Sequence, residues 1–324
     1  MADFTTLIDL AAERLGGRCL SATDEFFAEK ENLLKPGRGV FIDGKYTDRG
    51  KWMDGWESRR RRGPGHDWCV IRLGLAGTIR GVDVDTNHFL GNYPEHASVE
   101  ACASDGDLDE ATWTEIVPIT RLAGGTRNLL PVADASRFTH LRLHIYPDGG
   151  VARFRVHGEV VPDRAALAGK EIDLAAVEHG GVVVLANDSF FGPKDNLILP
   201  GPSLHMGDGW ETKRKRGPGH DWVVVRLAGR GLLDHILVDT AHFKGNFPDA
   251  CSIEGLALDG SVPDEFIASR SLPWTPVLGP SKLGADTVHR FDELVSTGPF
   301  THLRLNIYPD GGIARLRVLG TLDA

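Results

Sequence analysis

The stretch Asp54–Trp68 reads DGWESRRRRGPGHDW, and the stretch Asp208–Trp222 reads DGWETKRKRGPGHDW. Twelve of these 15 positions are identical, and the three differences exchange Ser for Thr or Arg for Lys. A solvated loop needs only a few turn-forming residues. This loop retains Trp, Glu, His and Asp in both copies as well, which indicates that the chain contains an internal duplication.

The duplication extends well beyond this loop. VDTNHFLGNYP at Val84–Pro94 returns as VDTAHFKGNFP at Val238–Pro248. THLRLHIYPDGGVARFRVHG at Thr139–Gly158 returns as THLRLNIYPDGGIARLRVLG at Thr301–Gly320. The segment GKYTDRGKWM at Gly44–Met53 occurs in the first copy only. Two long copies predict tandem domains rather than a solenoid, which needs three or more short repeats.

We predict a first domain at residues 1–159, a linker at 160–171 and a second domain at 172–324. Each copy reads as all-β, because hydrophobic residues alternate with polar ones over short runs. In HLRLHIYP, Leu141, Leu143 and Ile145 are expected to face the core, and Arg142, His144 and Tyr146 the opposite side. Several such runs in a unit of about 150 residues predict an antiparallel jelly-roll-like β-sandwich.

The PDGG motif after Tyr146 predicts a hairpin between the two strands that flank it. That pairing would place Arg142 and His144 beside Arg153 and Arg155 in a cationic stripe. A solvated outer face is the structural explanation of the stripe, and attraction of anions or of the sister domain is the functional one.

Composition excludes several classes of protein. The 324 residues carry a net charge of −9 and are 41% hydrophobic. An acidic chain lacks the basic surface that nucleic-acid binding requires. No apolar run reaches the roughly 20 residues of a membrane span, and the N-terminus lacks a signal-peptide core. We therefore expect a cytoplasmic protein, in which the four unpaired cysteines are reduced and structural.

The polar residues shared by both copies suggest a pocket at the sandwich rim, because His and carboxylates transfer protons and Arg grips carboxylates. A structural explanation competes with this one: Trp56 can pack, Asp67 can cap a turn, His88 can be a bonded core histidine and Asn92 suits a turn. Asp85, His88 and Glu100 could converge on a metal, yet no HxH or HExxH spacing supports that site. No cofactor is firmly implied, and a divalent metal stays as an alternative.

Three segments together resemble the allantoicase (allantoate amidinohydrolase) family: MDGWESRRRRGPGHDW, VDTNHFLGN and FFAEKENLLKPG. The resemblance covers both repeats. It implies two jelly-roll-like, galactose-binding-like sandwich domains and hydrolysis of allantoate to ureidoglycolate and urea in purine degradation. The alternatives are a non-catalytic module that binds a small ligand or carbohydrate, and a purely structural tandem domain.

Laid on this sequence, that chemistry needs an Arg for the substrate carboxylate, a general base for water and a general acid for the departing urea. Trp56 would wall the pocket. The predicted catalytic residues are His66, Asp67, His88 and Asp85, with His220, Asp221, His242 and Asp239 in the second copy. The predicted substrate-binding residues are Trp56, Glu57, Arg60, Arg62 and Asn92, with Trp210, Glu211, Arg214, Arg216 and Asn246 in the second copy.

The loop sequences alone leave open whether each copy has its own site, both copies share one, or one copy is a scaffold. The first copy has His144 where the second has Asn306. We expect both copies to contribute loops to function. We also expect a homo-oligomer with a small-molecule substrate, and no nucleic-acid or membrane partner.

Overall fold

The computed structural model describes residues 3–260, 262, 264–267 and 272–323. The chain divides into two compact units, Met1–Val161 and Pro162–Ala324. Both units are built almost entirely of antiparallel strands. The boundary lies inside the stretch 160–171 predicted as a linker, and the short helix α1 (Arg164–Leu167) follows it. The all-β tandem architecture expected from the alternating pattern is confirmed.

The strands of the first unit are β1 (Ile8–Asp9), β2 (Arg18–Ala22), β3 (Tyr46–Thr47), β4 (Gly50–Lys51), β5 (Trp56–Glu57), β6 (Asp67–Asp85), β7 (His96–Cys102), β8 (Thr114–Arg121), β9 (Arg127–Pro131), β10 (Arg137–Tyr146), β11 (Gly150–Val151) and β12 (Arg153–Val160). The strands of the second unit are β13 (Ile172–Asp173), β14 (Val182–Ala186), β15 (Trp210–Glu211), β16 (Asp221–Asp239), β17 (Ala250–Leu256), β18 (Thr275–Lys282), β19 (Val288–Phe291), β20 (Phe300–Tyr308), β21 (Gly312–Ile313) and β22 (Arg315–Leu322). Besides α1, the helices are α2 (Asp264–Ile267) and short 3₁₀ turns at Phe4–Thr6, Glu13–Leu15, Lys30–Leu34, Val177–His179, Lys194–Ile198 and Met206–Asp208.

One long strand organises each unit. In the first unit an eight-stranded sheet has the order β1-β12-β6-β10-β7-β8, and β2 and β9 also pair with β6. The first half of β6 pairs with β2 and β10, and its second half pairs with β9 and β12. The single sheet therefore folds over along β6 into the two layers of the sandwich. In the second unit β16 has the same role.

The core between the layers follows the predicted alternation. Leu141, Leu143 and Ile145 are fully buried, as are Val223 and Val225. Their neighbours Arg142, His144 and Tyr146 lie on the other face of the sheet, as predicted. All four cysteines, which lie within the described residues, are free thiols.

Both ends of β6 lie at the same rim of the sandwich. The turn that follows β10 shows this, because Asp67 at the start of β6 donates its N–H to Pro147, and Ala152 donates to Asp85 at the strand's end (3.2 and 2.7 Å). The same turn contacts the Arg-rich loop through Ser58, whose N–H bonds Gly149 O. The loop predicted to carry chemistry and the segment after β6 are therefore neighbours at one rim.

The predicted hairpin across PDGG is wrong. β10 and β12 do not pair with each other; both pair with β6, and β11 between them pairs with β5. The two glycines have another reason to be there. Gly149 has φ 137°, where a side chain is strained, and a Cβ on Gly150 would lie 2.0 Å from the buried ring of Phe89.

The predicted cationic stripe is absent from the described residues for the same reason. Arg153 forms a buried ion pair with Asp54 at 2.8 Å. Arg155 lies 3.7 Å from Asp9. These arginines neutralise internal carboxylates and do not share a face with Arg142 and His144.

Candidate active site at the loop rim

The Arg-rich loop has two tethered arginines and two free ones. Arg59 bonds Asp24, and the side chain of Arg61 bonds Asp67 while its backbone N–H bonds Asp148 at 2.8 Å. Arg60 and Arg62 form no hydrogen bond or ion pair with any residue that the structure describes. Their second-unit equivalents Arg214 and Arg216 are free in the same sense, and Lys213 and Lys215 take the places of Arg59 and Arg61. The loop is thus anchored at alternate residues, and its unpaired guanidinium groups are available to an anion.

His66 begins a chain of hydrogen bonds that runs along the outer face of the sheet. Its Nε2 lies 2.9 Å from Nδ1 of His144, and Nε2 of His144 lies 3.0 Å from Oε2 of Glu100. His144 and Glu100 come from neighbouring strands, where His144 is in register with Ser98. The ring of Tyr146 packs against His66 with centroids 4.4 Å apart. Arg142 lies 3.4 Å from the same Glu100 oxygen.

The bonding pattern assigns the proton positions in this chain. The Glu100 carboxylate accepts from Nε2–H of His144, which makes Nδ1 of His144 an acceptor. His66 then donates through its own Nε2–H, and its Nδ1 keeps a lone pair that bonds no described residue. Burial lowers the pKa of His144, and the bond to Glu100 acts in the opposite direction. The hydrogen-bond pattern therefore leaves Nδ1 of His66 as the ring nitrogen that can accept a proton.

In the second unit the equivalent chain contains an amide. Nε2 of His220 lies 3.1 Å from Oδ1 of Asn306, and Nδ2 of Asn306 donates to Glu254 at 3.0 Å. Tyr308 packs against His220 with centroids 4.7 Å apart. The His, Glu and Tyr of this arrangement therefore have the same types in both units, and the middle residue of the chain differs.

Asp67 and Asp221, predicted as catalytic, do not bond the histidines that precede them in the chain. Asp67 is buried and accepts from Thr23 at 2.9 Å and from Arg61. Asp221 is likewise buried and bonds Asn187 and Lys215, each at 2.8 Å. Both carboxylates anchor the loop, and the histidine beside each of them bonds a residue of another strand.

Asp85 and His88 are also not partners of each other. Arg38 holds Asp85 with two bonds of 2.9 Å each. His88 instead bonds the carbonyl oxygen of Gly39 at 3.2 Å and has φ 68°. Because a carbonyl only accepts, Nε2 of His88 carries the proton.

In the second unit His242 repeats the His88 arrangement with Ser203 O at 2.9 Å and φ 69°. Pro202 stands where the first unit has Arg38, so Asp239 has no ion-pair partner among the described residues.

Trp56 and Trp210 are core residues, and the prediction that they wall a pocket is not supported. Both side chains are fully buried. Their indole N–H groups donate to Asp24 O and Asp188 O, each at 2.8 Å. The tryptophans therefore fix the start of the loop from the inside, which is the structural explanation of their presence in both copies.

Glu57 and Asn92 meet in a cavity of about 330 Å³ at the same rim. Asn92 Nδ2 donates to Oε1 of Glu57 at 2.6 Å. Burial raises the pKa of Glu57, and the bond from Asn92 acts against it. The cavity is lined by Phe27, Phe41, Lys51, Met53, Glu57, His88, Leu90, Gly91 and Asn92. Lys51 and Met53 belong to the segment present only in the first copy, where β3 and β4 form a small hairpin. In the second unit Asn246 bonds both Glu211 and Met206.

No group of three or more His, Cys, Asp or Glu side chains in the described parts of the chain is placed to hold a metal ion. The suggested trio does not converge: Asp85 bonds Arg38, whereas Glu100 bonds His144. Among the described residues, no helix has the length and apolar character needed to cross a membrane.

Comparison with known proteins decides the family. A family model described as "Allantoicase repeat" matches residues 8–161 and 172–323. The chain belongs to the allantoicase family. It is 52% identical over 320 residues to "Probable allantoicase 1" of Burkholderia mallei, covering 98% of this chain and 95% of that protein. It is 50% identical to "Probable allantoicase" of Rhizobium meliloti over 97% of this chain and 93% of that one. The crystal structure of allantoicase from Saccharomyces cerevisiae superposes with a TM-score of 0.80 at 38% identity, covering 97% of this chain and 93% of that one.

Two residues of the candidate site were not among the predicted catalytic or substrate-binding residues. These residues are His144 and Glu100, which complete the hydrogen-bond chain that starts at His66. The sequence contained a signal for each of them. Glu100 has an equivalent in Glu254, and His144 lies on the outward face of a strand whose other face is apolar. The pairing of β10 with β7 brings His144 and Glu100 together, and this pairing could not be predicted from the sequence.

Proposed function

We propose that this chain hydrolyses allantoate to ureidoglycolate and urea within purine degradation. In this reaction the oxygen of water bonds to the central carbon of allantoate, and the bond from that carbon to one ureido nitrogen breaks. One proton of the water replaces the broken bond on the departing nitrogen. Urea therefore leaves as a neutral molecule, and the carboxylate of the substrate is unchanged. The observation that carries the proposal is full-length membership of the family. It is supported by a loop that contains His66 together with Arg60 and Arg62, two arginines that bond no residue the structure describes.

His66 is the general base of this proposal. Its Nδ1 holds a lone pair, and its other nitrogen is bonded to a neutral imidazole that is in turn bonded to a carboxylate. A proton taken up at Nδ1 is stabilised by this chain, as in other sites where a carboxylate supports a histidine. Positioned proton transfer of this kind contributes typically ~10²–10⁴-fold to a rate.

Arg60 and Arg62 are the proposed carboxylate contacts, because a guanidinium binds a carboxylate through two parallel bonds. Glu57 and Asn92 are the proposed contacts for a ureido group. The raised pKa of Glu57 favours its protonated form, which is the form that donates a proton to a leaving nitrogen. His88 and Asp85, predicted as catalytic, have supporting roles in this proposal, since both are bonded to the segment at Arg38 and Gly39.

A non-catalytic ligand-binding module is not favoured, because the family matched over both repeats is that of a hydrolase. We retain three further expectations as part of the proposal: a homo-oligomeric assembly, a cytoplasmic location and no nucleic-acid partner. A net charge of −9 supports the last of these.

The test is to incubate the purified protein with allantoate and to measure urea and ureidoglycolate, with and without an added divalent metal. One urea per allantoate is expected. Arg60→Ala should then raise KM with little change in kcat, which is the signature of lost uniform binding. The matched control is Arg59→Lys, an exchange that Lys213 already represents in the second repeat. Allantoate left intact under both conditions would overturn the substrate assignment.

A further inference from the structure

The two repeats place the same loop histidine in nearly the same surroundings but give it different partners. His66 bonds His144 Nδ1 at 2.9 Å, and His220 bonds Asn306 Oδ1 at 3.1 Å. The other neighbours match in pairs: Tyr146 and Tyr308, Ser98 and Ser252, Glu100 and Glu254, Arg142 and Arg304. Among these side chains the one difference in residue type is therefore an imidazole in the first repeat and an amide in the second.

An imidazole and an amide differ in what they do with a proton. When His66 takes up a proton at Nδ1, the Nε2 proton can shift toward His144, whose own Nε2–H is bonded to the Glu100 carboxylate. The positive charge is then shared along two rings that end on an anion. A neutral amide neither accepts nor releases a proton near pH 7.

The orientation of Asn306 is fixed by its other bonds. Its Nδ2 donates to Glu254 at 3.0 Å and to Ser252 at 3.3 Å, so Oδ1 is the atom that faces His220. The same Oδ1 accepts from Nε of the buried Arg304 at 3.1 Å. His220 is therefore held as a donor at Nε2, and the amide oxygen separates its ring from a guanidinium.

We infer that the two repeats have different roles. The first repeat transfers protons through His66, with His144 as the positioning residue, and the second repeat binds substrate without proton transfer. This inference rests on the proposed function. Arg214 and Arg216, which bond no residue in the described part of the chain, give the second repeat the same means of attracting a carboxylate as the first. His144 acts through His66 by fixing its tautomer and sharing its charge.

The kinetic test uses the substitution His144→Asn, which gives the first repeat the residue found at the equivalent position of the second. The fold tolerates this side chain between the same neighbours, as Asn306 demonstrates. We expect kcat to fall roughly 10–100-fold, the range for loss of a residue that supports a reacting group, with little change in KM and an altered pH profile. His220→Ala should lower kcat far less than His66→Ala, because the partner of His220 is an amide that cannot share its proton.

The control for loss of a buried histidine is His140→Asn. His140 lies on the same strand, is as buried as His144 and bonds Thr139 instead of a loop residue. Its kcat and pH profile should match those of the unmodified protein. The inference is overturned if His144→Asn leaves kcat and the pH profile unchanged, or if His220→Ala lowers kcat as much as His66→Ala at constant KM.

A second measurement does not depend on turnover. Nitrogen-15 NMR of the histidine rings reports which nitrogen carries a proton and how each ring titrates. The ionisable groups around His66 are His144, Glu100, Arg142 and Tyr146. His66 and His144 should titrate as a coupled pair, and His144→Asn should change the titration of His66. Asn306→His should create a second coupled pair with His220.

If the titration of His66 is the same with and without His144, the inference fails whatever the substrate proves to be. Coupled titration together with no urea release would instead overturn the proposed reaction and leave the difference between the repeats standing.

Discussion

We predict that the buried histidine His302 lowers the stability of the folded protein at acidic pH. It lies in β20, is buried, and has its Nδ1 within 2.9 Å of the Thr301 hydroxyl. Burial, with a smaller contribution from the charge of Arg226, lowers its pKa from 6.5 to about 4. The perturbation is His302→Leu, which removes the titrating group and keeps a side chain of similar size in the same place.

The sign follows from proton binding in the two states. Above about pH 6.5 neither the folded nor the unfolded state protonates this ring, so His302 adds no pH dependence there. Between about pH 6.5 and pH 4 only the unfolded state binds the proton, and the folded state loses about 1.4 kcal/mol per pH unit. Between about pH 7.5 and pH 4.5 the total is roughly 2–3 kcal/mol.

The assay is urea unfolding at these two pH values, followed by tryptophan fluorescence, for the unmodified protein and for His302→Leu. The free energy of unfolding should fall less for the variant than for the unmodified protein, by roughly 2–3 kcal/mol over this interval. Taking the difference between two pH values cancels the change in packing. His140→Leu is the matched variant in the first unit, where burial also lowers the pKa of the histidine, so the same sign is expected. A stability difference that stays constant with pH would refute the reasoning.

Three shorter predictions test other parts of the molecule. Arg153→Leu leaves the buried carboxylate of Asp54 without its partner and should destabilise the first unit by roughly 3–5 kcal/mol in chemical unfolding; a loss below about 1 kcal/mol would contradict a desolvated pair. His88→Val should cost about 1–3 kcal/mol in the same assay because a β-branched residue is strained at φ 68°, whereas His88→Asn should cost less; equal losses would exclude strain as the cause. Light scattering should give a mass above that of the 35.2 kDa chain, and a monomer mass at working concentration would exclude the homo-oligomer.

The fold was predictable from sequence to the extent that local patterns determine it. The alternation in β10 correctly assigned Leu141, Leu143 and Ile145 to the core, because a side chain's face depends only on its position along the strand. Which strand lies beside which is a different matter. PDGG between two alternating runs carries every local mark of a hairpin, yet β6 takes both strands as partners. The glycines are explained by φ at Gly149 and by the ring of Phe89, neither of which is visible in the sequence.

The site shows the same limit. The sequence placed His66, Arg60 and Arg62 in one loop, but the partners it offered were those nearest along the chain. Asp67 is the first residue of β6 and is buried, and His66 beside it turns to the outer face, so adjacent residues contact different groups. The partner of His66 is 78 positions away, and that of Asp85 is 47 positions away. Contacts between strands of such separation follow from sheet order, which local spacing does not encode.

The positions at which the two repeats differ are more informative about function than the positions at which they are identical. Identity between the repeats first suggested function, yet Trp56, Phe89 and the second glycine of PDGG have equivalents in both units because the fold needs them there. The repeats differ where the first unit has His144, Arg38 and the hairpin that contributes Lys51. Around His144 and Asn306 the neighbouring residue types are the same in both units, although Arg142 contacts Glu100 and Arg304 contacts Asn306. His144 and Asn306 differ although the residue types around them are retained, so the two units differ in chemistry at this position. Each of the two residues is one hydrogen bond away from the loop histidine of its own unit.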